Sequence, residues 1–134
     1  MRKALLGLYK PTPGGYPGND DLGQMSAWYV FGALGLYPAI PGTDVLALGS
    51  PLFPSATVHL AGGDLTITGG GATRDAPYVT GLRVNGAARS QPWLRLSDVA
   101  AGGRLTFDLS STPADLQGGP PPSYGPASAA GCAG

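Results

Sequence analysis

Gly14-Gly15-Tyr16-Pro17-Gly18-Asn19-Asp20-Asp21-Leu22-Gly23-Gln24-Met25-Ser26-Ala27-Trp28-Tyr29 reads as a glycine-rich loop running into the start of a helix. Glycine adopts backbone angles that other residues resist, so such a loop turns tightly and brings its backbone close to a ligand. Asn19 or Asp20 is placed to cap the helix by accepting hydrogen bonds from the free N–H groups of its first turn. Asp20 and Asp21 then stand where the helix dipole favours negative charge. A carboxylate there suits a base or a cation ligand better than a proton donor. Read by themselves, acidic residues opening a helix are more often caps than catalysts.

The loop predicts a helix over residues 21–36. Met25, Trp28, Tyr29, Phe31 and Leu34 crowd much of its circumference, the pattern of a helix buried on more than one side. Gly35 weakens its end and Pro38 stops it. This suits an inner helix of a helical barrel, yet the chain offers only one more helical stretch. That stretch is residues 2–9, where Leu5, Leu6 and Leu8 make an apolar face; it is short for a free helix and reads as the tail of a longer element. Pro11 and Pro13 open the loop that follows.

After Pro41-Gly42 the period changes. Asp44–Leu48, Ala56–Leu60, Leu65–Thr68, Tyr78–Val84, Gln91–Leu96 and Arg104–Leu109 are short runs rich in Val, Thr, Ile, Tyr and Leu, separated by turn residues. Asn85-Gly86 marks a tight hairpin. Ser97-Asp98 suggests one short helical turn before Gly102-Gly103. The fold class expected is α+β: helices first, then a small antiparallel β-sandwich. From about Ser111 the pattern fails, and residues 112–134 read as a disordered tail or linker.

Composition narrows the function. Charged residues make up 12% of the 134, about half the usual share. Net charge is zero, so no basic patch points to nucleic acid. No run is long enough to span a membrane. The apolar part of the N-terminus is too short for a signal peptide, and Lys10 interrupts it. All eight acidic residues are Asp; there is no Glu. A single Cys, Cys132, permits no internal disulfide. His59 has no ligand-spaced neighbour and reads as structural or exposed. Trp93 reads as sandwich core, and Gly69-Gly70-Gly71, lacking the Lys and Ser/Thr of a phosphate loop, as a turn.

Pro17-Gly18-Asn19-Asp20-Asp21-Leu22-Gly23-Gln24-Met25-Ser26-Ala27-Trp28-Tyr29-Val30, with Ala33-Leu34-Gly35-Leu36-Tyr37-Pro38 and Leu48-Gly49-Ser50-Pro51-Leu52-Phe53, resembles the C-terminal signature of glycoside hydrolase family 92. That family comprises calcium-dependent, inverting exo-α-mannosidases. The resemblance implies that residues 1–40 are the last helices of an (α/α)6 catalytic barrel, 41–111 a C-terminal β-sandwich region and 112–134 a tail. It implies an intact protein several times longer, secreted or associated with the cell envelope, whose upstream part is this chain's partner. It also implies action on glycans carrying terminal α-mannose.

The resemblance assigns Asp21 as the leading candidate for the catalytic base, with Asp20 beside it as a further catalytic candidate. The base would deprotonate a water that attacks the anomeric carbon. In inverting enzymes the two carboxyl groups stand about 6.5–9.5 Å apart to admit that water. On a helix Asp20 and Asp21 would project about 100° apart, so they are a poor opposed pair. The family's acid is a Glu, which this chain lacks, so the chain carries at most half of the machinery. Asn19, Gln24 and Tyr16 are candidate substrate contacts, and Asp21 and Asn19 candidate calcium ligands. Calcium takes about six to eight oxygens, more than this loop holds. Two other readings stand beside the enzyme fragment: a non-catalytic sandwich that binds carbohydrate, and a purely structural domain. The missing Glu opposes self-sufficient catalysis, while the Asn-Asp-Asp loop with its glycines opposes a mere scaffold.

Overall fold

The computed structural model describes residues 1–114 and 116–122. Two helices lead, α1 (Arg2–Leu8) and α2 (Gln24–Leu34). Eight strands follow: β1 (Leu36–Tyr37), β2 (Val45–Leu48), β3 (Ser55–Leu60), β4 (Gly63–Gly70), β5 (Tyr78–Val84), β6 (Ala87–Arg89), β7 (Trp93–Arg95) and β8 (Gly103–Ser110). A 3₁₀ turn, Leu96–Asp98, joins β7 to the segment before β8. The order helices-then-strands is the α+β arrangement expected.

Two corrections apply to the strands. They form two sheets, β1-β2-β7 and β3-β4-β8-β5-β6, and the second is mixed. β4 and β8 run parallel, Ile67 beside Leu105, whereas the expectation was antiparallel throughout. The last strand inserts between β4 and β5, which are neighbours in sequence but not in space. Both sheets feed one core. Leu36, Leu46 and Leu94 from the first meet Leu65, Ile67, Leu82, Val84, Leu105 and Phe107 from the second. Alternation along β4 and β8 turns Leu65, Ile67, Leu105 and Phe107 inward. Asn85 and Gly86, both at positive φ, make the tight turn between β5 and β6 as expected. Trp93 is half-buried rather than core, and its Nε1–H donates to the Gly119 carbonyl at 3.2 Å.

The Gly118 N–H donates to the Ser90 carbonyl at 3.0 Å, and Leu116 packs on the core. The described part of residues 112–134 therefore follows the sheet edge after β6. The rest of the proposed disordered tail, with Cys132, lies outside the described residues.

The helices are tied to the strands at defined points. Leu5 of α1 packs on Gly32 of α2, where an added Cβ would lie 3.2 Å from both Leu5 methyl carbons. α2 ends at Gly35, whose left-handed backbone (φ 78°) lets its N–H reach the Gly32 and Phe31 carbonyls. The Leu52 N–H then donates to the Ala33 carbonyl at 2.9 Å. Arg2 is buried and donates to Ser50 Oγ and to the Pro51 carbonyl, each at 3.0 Å, and to the Thr73 carbonyl. Burial lowers the Arg2 pKa and nearby Asp75 opposes that shift. A guanidinium nevertheless keeps its proton.

Candidate functional site

The loop before α2 departs from the helix expected at residue 21. Asp21 (φ 50°), Leu22 (φ 61°) and Gly23 (φ 96°) are three successive left-handed residues, which a right-handed helix cannot contain. The helix starts at Gln24 with Gly23 as its N-cap. Neither Asn19 nor Asp20 occupies the cap position, and no acidic residue lies in the first turn. Asp20 still does a cap's chemistry from outside the helix. Its Oδ1 accepts the Ser26 N–H at 2.9 Å, one of the first-turn donors with no helical partner. Its carbonyl accepts the Met25 N–H at 3.1 Å. Asp20 and Asp21 thus sit on a turn, so the helical projection expected for them does not apply.

Ser26 extends this arrangement. Its Oγ lies 2.9 Å from Asp20 Oδ1 and 3.0 Å from the Tyr16 hydroxyl. Tyr16 packs edge-on against Tyr9, with ring centres 6.3 Å apart. Tyr9 stacks on Trp28 at 5.8 Å, leans on Tyr29 at 5.0 Å, and donates its hydroxyl to the Met25 carbonyl at 3.1 Å. Burial raises the Tyr9 pKa, with smaller contributions from Asp20 and Tyr16. Tyr9, Tyr16 and Tyr29, with Ser26 and the Lys10–Gly15 turn, line an open cleft of about 800 Å³. Gly15 is required there: a Cβ would fall 2.0 Å from the Lys10 carbonyl oxygen.

The predicted site residues therefore separate into groups. Tyr16 lines the cleft, and Asp20 is joined to it through Ser26. Asn19, Asp21 and Gln24 are exposed and do not line it. The Asp21 carboxylate has no hydrogen bond or ion pair among the described residues, in contrast to Asp20. Tyr9, Lys10 and Ser26 were missed as site residues. Tyr9 reads from the sequence as the end of the first helix. Ser26 was legible only as one of the N–H donors that any helix start leaves free.

The α2 expectation also needs correction within this chain. Only Gly32 and Ala33 of α2 are buried; Val30 is 56% and Phe31 39% exposed. α1, β1 and the loop carrying Tyr9 and Tyr16 lie against this helix. Leu22 is fully exposed at the loop tip. Among the described residues no three His, Cys, Asp or Glu side chains cluster as metal ligands. His59 pairs with Asp64 across β3–β4 at 2.7 Å and is largely exposed, remote in sequence from the loop.

Known proteins resemble this chain over most of its length. The family described as "Glycosyl hydrolase family 92 catalytic domain" matches residues 1–111. A family 92 α-mannosidase structure from Bacteroides thetaiotaomicron superposes with a TM-score of 0.86 at 34% identity, covering 92% of this chain and 17% of that one. An inverting family 92 mannosidase from the same species gives 0.76 at 37% identity, over 84% of this chain and 15% of that one. A protein of Arthroderma benhamiae described as an uncharacterized secreted glycosidase is 28% identical over 87% of this chain and 16% of its own length. The chain thus spans less than a fifth of each of these relatives.

Proposed function

The chain belongs to glycosyl hydrolase family 92, and on that premise we propose that it forms part of an inverting, exo-acting α-mannosidase and supplies its catalytic-base loop. Two solved relatives are described as mannosidases, one of them as inverting, and the first was also solved in complex with mannoimidazole. The substrate class we infer is terminal α-mannosyl residues of glycans. Because the chain covers 15–17% of the solved relatives, the rest of the enzyme lies in polypeptide beyond this sequence.

The observation that carries the reading is the contrast between the two aspartates. Asp20 is committed to Ser26 by two hydrogen bonds. Asp21 is exposed and held in a left-handed turn, and its carboxylate, without a partner among the described residues, is free to accept a proton from water. We assign Asp21 the role of base and Asp20 that of anchor. The general acid must come from elsewhere, since this sequence has no Glu. Tyr16 lines the cleft, and Asn19 and Gln24 present amides at the loop surface, as substrate contacts. The isolated chain is then expected to be inactive.

Calcium belongs to the same proposal. Asn19 and Asp21 offer unpartnered side-chain oxygens, far short of the roughly six to eight a calcium ion takes. These residues alone do not make a calcium site, so most ligands would come from outside the chain. Export is inferred from the relative described as secreted. No helix among the described residues is long and apolar enough to cross a membrane. The test is to follow hydrolysis of an aryl α-mannoside by the complete polypeptide with proton NMR. β-Mannose as the first product supports the proposal; α-mannose first, or no hydrolysis, refutes it.

A further inference from the structure

We propose that Ser26 is a positioning residue that joins the aromatic cleft to the aspartate pair. The inference rests on the reading of Asp21 as base. A serine hydroxyl has one proton to give. Between its two neighbours, the Asp20 carboxylate is the stronger acceptor. Ser26 therefore donates to Asp20 Oδ1, 2.9 Å away, and the Tyr16 hydroxyl, 3.0 Å away, donates to Ser26 Oγ. With the Ser26 N–H on the same Oδ1 at 2.9 Å, one residue holds two points of the loop to the first turn of α2.

The loop needs this hold. Gly14 and Gly18 are both at positive φ, and a Cβ at either would meet nothing within 4 Å, so packing does little to fix the loop at those two points. Asp21 follows Asp20 directly, has no partner for its carboxylate among the described residues, and sits in a backbone region that costs a non-glycine residue about 1–2 kcal/mol; its carbonyl accepts the Gln24 N–H at 3.3 Å. Such a conformation persists only where its surroundings hold it. What holds Asp20 therefore helps to set where Asp21 stands, together with the backbone bond from Gln24. Ser26 acts on Asp21 through Asp20, and on the cleft through Tyr16.

The experiment compares Ser26→Ala with Ser26→Thr in the complete polypeptide, by hydrogen exchange of the segment 16–26 and by kinetics on an aryl α-mannoside. Ser26→Ala should speed exchange of that segment and lower kcat by roughly 10- to 100-fold with KM within about 3-fold, the size expected when a reacting group shifts by about an ångström. Ser26→Thr keeps the hydroxyl and should restore both readouts. Unchanged exchange in Ser26→Ala, or faster exchange with unchanged kcat, overturns the proposal. If the parental polypeptide hydrolyses no α-mannoside, the mannosidase reading fails, and exchange alone decides whether Ser26 holds the loop. Should Ser26→Ala not fold, Tyr16→Phe removes only the outer link. It is expected to speed exchange and lower kcat by a smaller factor; no change in either overturns the proposal.

Discussion

The Arg2 guanidinium donates to the Pro51 carbonyl at 3.0 Å, across 49 positions of chain, and fastens the first helix to the loop that enters the five-stranded sheet. Two further acceptors, Ser50 Oγ and the Thr73 carbonyl, share the same side chain. Arg2→Ala leaves these groups without their charged donor. Hydrogen bonds to a charged group contribute about 1.5–3 kcal/mol each, so the expected loss is at least roughly 2 kcal/mol. Arg2→Lys should recover only part of it, because an ammonium lacks the planar fork that reaches several acceptors at once. The midpoint of urea unfolding reads both variants.

Gly35 and Gly23 make a controlled pair. Both are left-handed, with φ of 78° and 96°, so alanine is strained at either. At Gly35 a Cβ would also lie 2.7 Å from the Gly49 carbonyl oxygen and 2.9 Å from the Pro51 nitrogen, while at Gly23 it would meet nothing. Gly23→Ala should therefore cost about 1–2 kcal/mol, the left-handed penalty alone. Gly35→Ala should cost clearly more. Equal shifts in thermal unfolding temperature would show that the close approach at Gly35 contributes nothing.

Tyr9 makes stability depend on pH at the alkaline end. Its folded pKa is raised by burial first, then by Asp20 and Tyr16. A group raised in the folded state contributes stability that is whole below its unfolded pKa, about 10 for tyrosine, and is lost as pH climbs through the folded value. Unfolding free energy should fall above about pH 10, and Tyr9→Phe should flatten the fall. Ultraviolet titration should likewise find a tyrosine ionising above the ordinary value of about 10, a step missing from the variant.

The apolar surface around α2 predicts association. Leu8 is 56%, Val30 56% and Phe31 39% exposed, and Leu22 fully so. Large exposed apolar patches are uncommon on monomers. Expressed alone, the chain should self-associate in analytical ultracentrifugation, and Val30→Lys with Phe31→Lys should shift it toward monomer. A wild-type monomer at micromolar concentration would contradict this.

Local features of the fold were legible because they depend on local chemistry. Asn85-Gly86 named its turn, Gly35 its helix end, and alternation located β2 to β5, β7 and β8 to within a few residues. What failed depends on partners far away in the chain. Alternation marks a strand but not its neighbour, so the parallel placement of β8 beside β4 was invisible. Gly118 reads as linker chemistry, yet it follows the sheet edge because, lacking a Cβ, it can lie close to Ser90 and Gln91. At the candidate site the motif identified the loop and its two aspartates. It did not separate them, because the separation rests on three left-handed residues and on Ser26, six positions beyond Asp20.

The assignment of unequal roles to those aspartates is tested most directly by kcat of Asp21→Asn and Asp20→Asn in the complete polypeptide on an aryl α-mannoside, with unfolding midpoints measured alongside. Loss of general base catalysis is worth about 10²- to 10⁴-fold. Asp21→Asn is expected to lose kcat on that scale with its unfolding midpoint unchanged, since its carboxylate has no partner among the described residues. Asp20→Asn is expected to lower the midpoint and reduce kcat less. Full activity in Asp21→Asn, or the larger kcat loss falling on a stably folded Asp20→Asn, would contradict the account.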